Sequence, residues 1–130
     1  MILLDTHVVL WLALEPSRIS LAAKAEIEQA RSAGSVMMIS DITLWEITAL
    51  LQRNRIRLDV ELGTFLDGVQ SRFAVKPITS RSCMLLESLP TAYPRDPADR
   101  IIGATALAEG IPLVTADEKI RGARAFATIW

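Results

Sequence analysis

Short continuous apolar runs alternate along the chain with longer stretches of helical character. Ile2-Leu3-Leu4 is a three-residue apolar run that stops at Asp5 and reads as a buried strand. Residues 6–13 are almost wholly apolar and predict a helix, which Glu15-Pro16-Ser17 interrupts. Ser20 is placed to cap a helix to about residue 33, with Gly34 as its stop. Val36-Met37-Met38-Ile39 predicts a second buried strand. Ser40 or Asp41 caps a following helix over about 42–53, and another helix is expected over about 59–71. A third strand is expected over 73–78 and a helix over 79–88. Asp96-Pro97-Ala98-Asp99 supplies Asp at the N-cap, Pro at the first helical position and an acid at the third, and so opens a helix that ends at Gly110. Residues 112–115 predict a fourth strand, Asp117 a short helix to about Gly122, and residues 125–129 a last strand.

Strands that are continuous apolar runs, rather than alternating ones, are buried on both faces. Their alternation with helices predicts a three-layer α/β/α fold with a central parallel sheet of about five strands. With 130 residues, no repeat and no linker-like tract, the chain is expected to form one domain over 1–130. Hydrophobic residues make up 51% and charged residues 22%, which excludes a disordered chain. A mean hydropathy of +0.32 predicts apolar surface left for a partner or a second copy. No apolar run approaches the roughly 18 residues of a membrane span, and the start lacks the basic residues of a signal peptide. Cys83 is the single cysteine, so no internal disulfide forms; its apolar neighbours suggest a core position. These features fit a cytoplasmic protein. The net charge of −1 offers no long-range attraction to nucleic acid, so any such binding must rely on local clusters of basic residues.

In a parallel sheet the carboxyl ends of the strands share one edge, and ligands bind where the strand order reverses. Asp5 ends the first strand, Asp117 follows the fourth, and Asp96 and Asp99 open a helix expected at the same edge. Glu46 lies one to two turns into the helix after the second strand, among Leu44, Trp45, Ile47, Ala49 and Leu50. Each acid has a structural explanation: Asp5, Asp96 and Asp117 as N-caps, Asp99 favouring a helix dipole, Glu46 on a solvated stripe. Together they would repel one another without a cation among them. Carboxylates are hard oxygen ligands that suit Mg²⁺, with Mn²⁺ as substitute. His7 and Cys83 are too few for a zinc site.

Asp5-Thr6-His7 with Leu10-Trp11, then Trp45-Glu46-Ile47 after Ser40, then Asp96-Pro97-Ala98-Asp99-Arg100 with Ile101-Ile102 and Ala106, and finally Leu113-Val114-Thr115-Ala116-Asp117, resemble in order the four motifs of the PIN-domain family. The likeness is greatest to its VapC-type toxins of type II toxin–antitoxin pairs and spans essentially the whole chain. Ala98 departs from the pattern, where an aromatic residue is frequent. The resemblance implies a metal-dependent endoribonuclease acting on structured RNA of the tRNA or rRNA class, leaving a 5′-phosphate and a 3′-hydroxyl by in-line attack of water. It implies Asp5, Glu46 and Asp99 as core metal ligands and Asp117 as a further ligand or supporting acid. Thr6 and Thr115 would orient carboxylates, with Asp96 assigned mainly to the N-cap. A cognate antitoxin and a homodimer are implied as partners.

Arg53, Arg55 and Arg57 form the densest basic cluster and, with Arg100, are candidate RNA contacts; a helix C-terminus explains the first three equally well. His7 is assigned to the edge of the site rather than to proton transfer, and Trp11 and Trp45 to core packing or a subunit interface. A receiver domain would require adjacent acids after the first strand and an Asp ending the third, where Val75-Lys76-Pro77-Ile78 stands. A haloacid-dehalogenase phosphatase would require an Asp where His7 stands. The remaining alternative is a catalytically silent PIN scaffold that binds protein or RNA.

Overall fold

The computed structural model describes all 130 residues. Five parallel strands form one sheet: β1 (Ile2–Leu4), β2 (Met37–Ser40), β3 (Ala74–Lys76), β4 (Leu113–Val114) and β5 (Thr128–Ile129). Their order is β3-β2-β1-β4-β5. The chain therefore builds outward from β1 through β2 to β3, then returns to the other side of β1 with β4. The reversal between β1 and β4 is where a crevice opens at the carboxyl edge.

Seven helices cover the sheet: α1 (Thr6–Leu14), α2 (Leu21–Ser32), α3 (Ile42–Gln52), α4 (Leu62–Arg72), α5 (Ser80–Leu85), α6 (Pro97–Glu109) and α7 (Glu118–Ala123). Successive strand residues point to opposite faces, so Ile2, Leu4, Ile39 and Val114 enter one core with α1, α2, Ile47 of α3 and Val69 of α4. Leu3, Met38 and Leu113 enter the other with Ile102 and Ala106 of α6 and Ile120 of α7. The expected three-layer arrangement is present.

Boundaries differ from expectation where backbone donors run out. The third strand stops at Lys76 rather than residue 78: Pro77 has no N–H for a ladder, and Ile78 N–H donates instead to Asp41 Oδ2 at 3.0 Å. Asp41 thus ties the end of β2 to this loop and does not cap α3; Ser40 Oγ accepts from Ile42 N–H at 3.4 Å. The last strand holds only Thr128–Ile129, because Ala125 and Phe126 pack into the second core. The expected helix over 79–88 is α5 followed by a separate 3-10 turn, Leu86–Ser88.

Cys83, expected in the core, is outside it, and of the two places expected for Trp45, core packing or a subunit interface, the core is not the one it takes. Cys83 is exposed on α5, where Ser82 turns inward to complete a capping box with Thr79. Trp45 is 58% exposed on α3, whose buried face carries Thr43, Ile47 and Ala49. Apolar neighbours in sequence do not fix which face of a helix a residue occupies.

Tyr93 fastens the loop before α6 to that helix. Its buried hydroxyl donates to the Asp99 carbonyl at 2.7 Å and lies against Gly103 one turn on. A Cβ at position 103 would meet that hydroxyl and come within 2.7 Å of Tyr93 Cζ. Gly103→Ala is expected to lower stability by about 1–3 kcal/mol through overpacking. A lower urea midpoint with unchanged m-value would show this, and an unchanged midpoint would mean that the ring moves freely.

Candidate active site

At the end of β1 the backbone of Asp5 is fixed first: its N–H donates to Val114 O at 3.0 Å and its carbonyl accepts from Val9 N–H. The side chain, 6% exposed, is held at both oxygens. Oδ1 accepts from Thr6 N–H at 2.8 Å, and Oδ2 accepts from the Thr115 hydroxyl at 2.6 Å. Thr115 is buried and follows β4, so one hydrogen bond joins the two central strands at their carboxyl ends. The same hydroxyl accepts from Asp117 N–H at 3.1 Å, and Asp117 Oδ1 caps α7 by accepting from Lys119 and Ile120 N–H.

Thr6 reaches toward α3, where its hydroxyl shares a 3.1 Å hydrogen bond with that of Thr43. Thr43 is three residues before Glu46, on the same side of α3, and is a buried support that the sequence motifs do not single out. Its position one turn from an acid is the one signal of it along the chain. Across the cleft, Asp96 Oδ1 accepts from Ala98 N–H at 2.9 Å and caps α6 as expected. Asp96 does more than this: Glu46, Asp96 and Asp99 each bring a ligand oxygen within 4.8 Å of the other two. Asp5 and Asp117 line the same open cleft of about 400 Å³, together with His7, Trp11 and Ala116.

The chain's two side-chain ion pairs are Arg18–Glu15 and Lys76–Glu109, so none of these five acids has a cationic partner. Burial, together with the charges of Asp5, Asp96, Glu46 and Asp117, pushes the Asp99 carboxyl up to about 7. Burial raises Asp5, opposed by the Thr115 and Thr6 hydrogen bonds, and raises Glu46, opposed by the Thr6 hydroxyl. The donor set is entirely carboxylate oxygen and short of positive charge, and therefore fits a hard divalent cation.

The candidate RNA contacts separate. Arg53 and Arg55 line a groove beside the acids, and Arg57 is exposed outside it. Arg100 does not pair with an acid; it donates to Leu86 O at 3.1 Å and braces the 3-10 turn after α5.

Residues 2–125 match the PIN domain family. The chain belongs to the PIN-domain family. A relative in Mycobacterium tuberculosis (strain ATCC 25618 / H37Rv), Ribonuclease VapC22, is 35% identical over 123 residues, 95% of this chain and 92% of its own. The fold is shared with VapBC2 from Rickettsia felis, solved bound to a DNA fragment from their promoter, at TM-score 0.73 and 19% identity over 98% of this chain and 97% of the other. It is shared too with a toxin-antitoxin complex from Klebsiella pneumoniae at TM-score 0.66 and 22% identity, over 98% and 97%. No helix of this PIN domain is long and apolar enough to cross a membrane.

The raised Asp99 carboxyl makes stability depend on pH. Between the ordinary carboxylate value of 3.8 and about 7, the folded state of this PIN domain holds a proton on Asp99 that the unfolded state has released. Without divalent cation, stability should therefore fall as pH rises through that window. Asp99→Asn is expected to flatten the fall and to raise the melting temperature at pH 8. Added Mg²⁺ should stabilise the wild type more at pH 8 than at pH 5, because its ligands must be deprotonated. Thermal melts in EDTA that show wild-type stability climbing steadily from pH 4 to 8 would contradict this assignment.

Proposed function

We propose that the chain is a VapC-type endoribonuclease that hydrolyses phosphodiester bonds in structured RNA of the tRNA or rRNA class, and that it is the toxin of a toxin–antitoxin pair. The observation that carries the proposal is the gathering of five carboxylates, none with a cationic partner, in one open cleft at the carboxyl edge of the sheet. A relative named as a ribonuclease at 35% identity supports RNA as the substrate.

Glu46, Asp96 and Asp99 are the residues that would hold Mg²⁺ or Mn²⁺, with Asp5 and Asp117 beside them. This gives Asp96 a ligand role in addition to its cap. Such a cation supplies positive charge for a phosphate in transfer and lowers the pKa of water. The chain's own contribution is to hold the acids still. Thr115 and the Thr6 amide fix both oxygens of Asp5, and Thr43 steadies the Thr6 hydroxyl beside Glu46. His7 stands at the cleft's edge next to Trp11.

Two surfaces support protein partners. A cleft of about 510 Å³ between α1 and α4 is lined mainly by apolar side chains, including Val9, Leu12, Phe65 and Val69, with Arg31 and Arg72 among the rest. It suits the apolar side chains of a cognate antitoxin, the class of partner present in the toxin-antitoxin complex from Klebsiella pneumoniae. Trp45 and Met84, 58% and 74% exposed, offer apolar area for a homodimer contact.

Labelled total RNA with Mg²⁺ should be cleaved by the purified protein, and EDTA should stop it. Asp5→Asn keeps the side chain's shape and should abolish cleavage. Thr115→Val removes the hydroxyl that donates to Asp5 and accepts from Asp117 N–H, and is expected to cost about 10–100-fold in activity or metal affinity. Cleavage that persists in folded Asp5→Asn would refute the site. Full activity in Thr115→Val would show that the Asp5 hydrogen bond positions nothing the reaction needs.

A further inference from the structure

His7 and Trp11 face two clefts at once. On one side stand the acids. On the other a groove of about 490 Å³ runs between α1 and the end of α3, with Arg18, Arg53, Arg55 and a single acid, Glu15, on its walls and Leu50 and Ile56 among its apolar lining.

The backbone that carries Arg53 and Arg55 is fixed, and the Arg18 side chain lies over an aromatic ring. At the end of α3, Asn54 adopts a left-handed φ of 56°, Arg55 N–H donates to Leu50 O and Asn54 N–H to Leu51 O. This is a Schellman turn with Asn at the left-handed position, and it fixes the backbone on both sides of Asn54. Arg18 arrives from a different element, the 3-10 turn Pro16–Arg18, and its guanidinium carbon lies 4.6 Å from the centre of the Trp11 ring. Trp130 packs against Trp11 at 5.7 Å between ring centres. The α3 dipole accounts for cations at its own C-terminus; it does not account for a third one stacked on an aromatic across the groove. Arg53 and Arg55 form no ion pair, and the Arg18–Glu15 contact, 3.8 Å between groups more than half exposed, leaves that charge available.

The nearby acids repel a polyanion. A cation among the acids offsets the charge of the phosphate that reacts, and arginines alongside would take up the charge of the neighbouring ones. We propose that the Arg18–Arg53–Arg55 groove holds the RNA strand flanking the bond to be cut, its guanidiniums on backbone phosphates, with Trp11 positioning Arg18. The inference rests on the nuclease reading and adds to it the path by which the strand enters. An acidic protein segment is the competing occupant. RNA is favoured because the groove adjoins the acids, His7 and Trp11 lining both clefts.

The test is fluorescence anisotropy of a short, labelled, mixed-sequence RNA with Mg²⁺ present, in an Asp5→Asn background that prevents turnover, across a series of salt concentrations. Arg53→Gln with Arg55→Gln should weaken binding about tenfold and make the slope of log affinity against log salt shallower by about 0.7 for each phosphate that is no longer neutralised. Arg18→Gln should act in the same direction. Arg81→Gln, on the exposed face of α5, should leave both unchanged. Affinity and slope unaltered by the groove substitutions, or altered as much by Arg81→Gln, overturn the proposal. So does groove-dependent binding of polyglutamate alongside groove-independent binding of RNA, which would assign the surface to a protein. Cleavage by the unsubstituted protein is read separately: groove-dependent binding without cleavage would refute the nuclease reading and leave the groove standing.

Discussion

Like charges crowded at the carboxyl end of a parallel sheet set the terms for this molecule. Asp5, Glu46, Asp96, Asp99 and Asp117 share one cleft with no lysine or arginine paired to any of them. The fold tolerates this by dividing the burden. Asp5, Asp96 and Asp117 each accept from backbone N–H groups at the starts of α1, α6 and α7, where the helix dipole favours negative charge. Asp5 gains the Thr115 hydroxyl as well. Asp99 has no such acceptor role, and burial together with the charges of the other acids pushes its carboxyl up to about 7. The helix termini thus leave part of the cleft's negative charge uncompensated.

The strand order makes that crowding possible. Because β1 is central and β4 returns to its free side, residues just past both strands fall at the same crevice, and α6 and α7 begin beside it. The two hydrophobic cores on either face of the sheet anchor the helices that carry the acids: Ile47 fixes α3 in one, Ile102 fixes α6 in the other. Arg100 and Tyr93, both spent on backbone carbonyls, secure the start of α6 from below.

Much of this was legible in the sequence because strand ends and helix caps are local signals. Asp5 after an apolar run and Asp96-Pro97 before a helix each mark their own position, and topology then brings those positions together. What stayed hidden depends on facing and on contacts across elements. Asp96 was readable as a cap, but its approach to Glu46 depends on how α3 and α6 meet across the sheet. Cys83 and Trp45 have apolar neighbours yet stand on solvent-facing sides of their helices, a distinction neighbours in sequence cannot make. Arg18 over Trp11 joins two elements across a proline-containing turn and follows no helical period. Thr43 was a modest residue one turn from Glu46, and only its contact with Thr6 shows its part.

The Thr115–Asp5 hydrogen bond spans 110 positions of the chain. During synthesis the amino-terminal strands and helices emerge and can pair early, whereas contacts of such separation wait for the carboxyl-terminal part. A growing chain therefore carries Asp5 and Glu46 without the threonine that braces the first, and without the helices that bring Asp96, Asp99 and Asp117. Until β4 slots in beside β1 there is no assembled cluster of the five acids. Chains that stop before β4 would lack the cluster altogether.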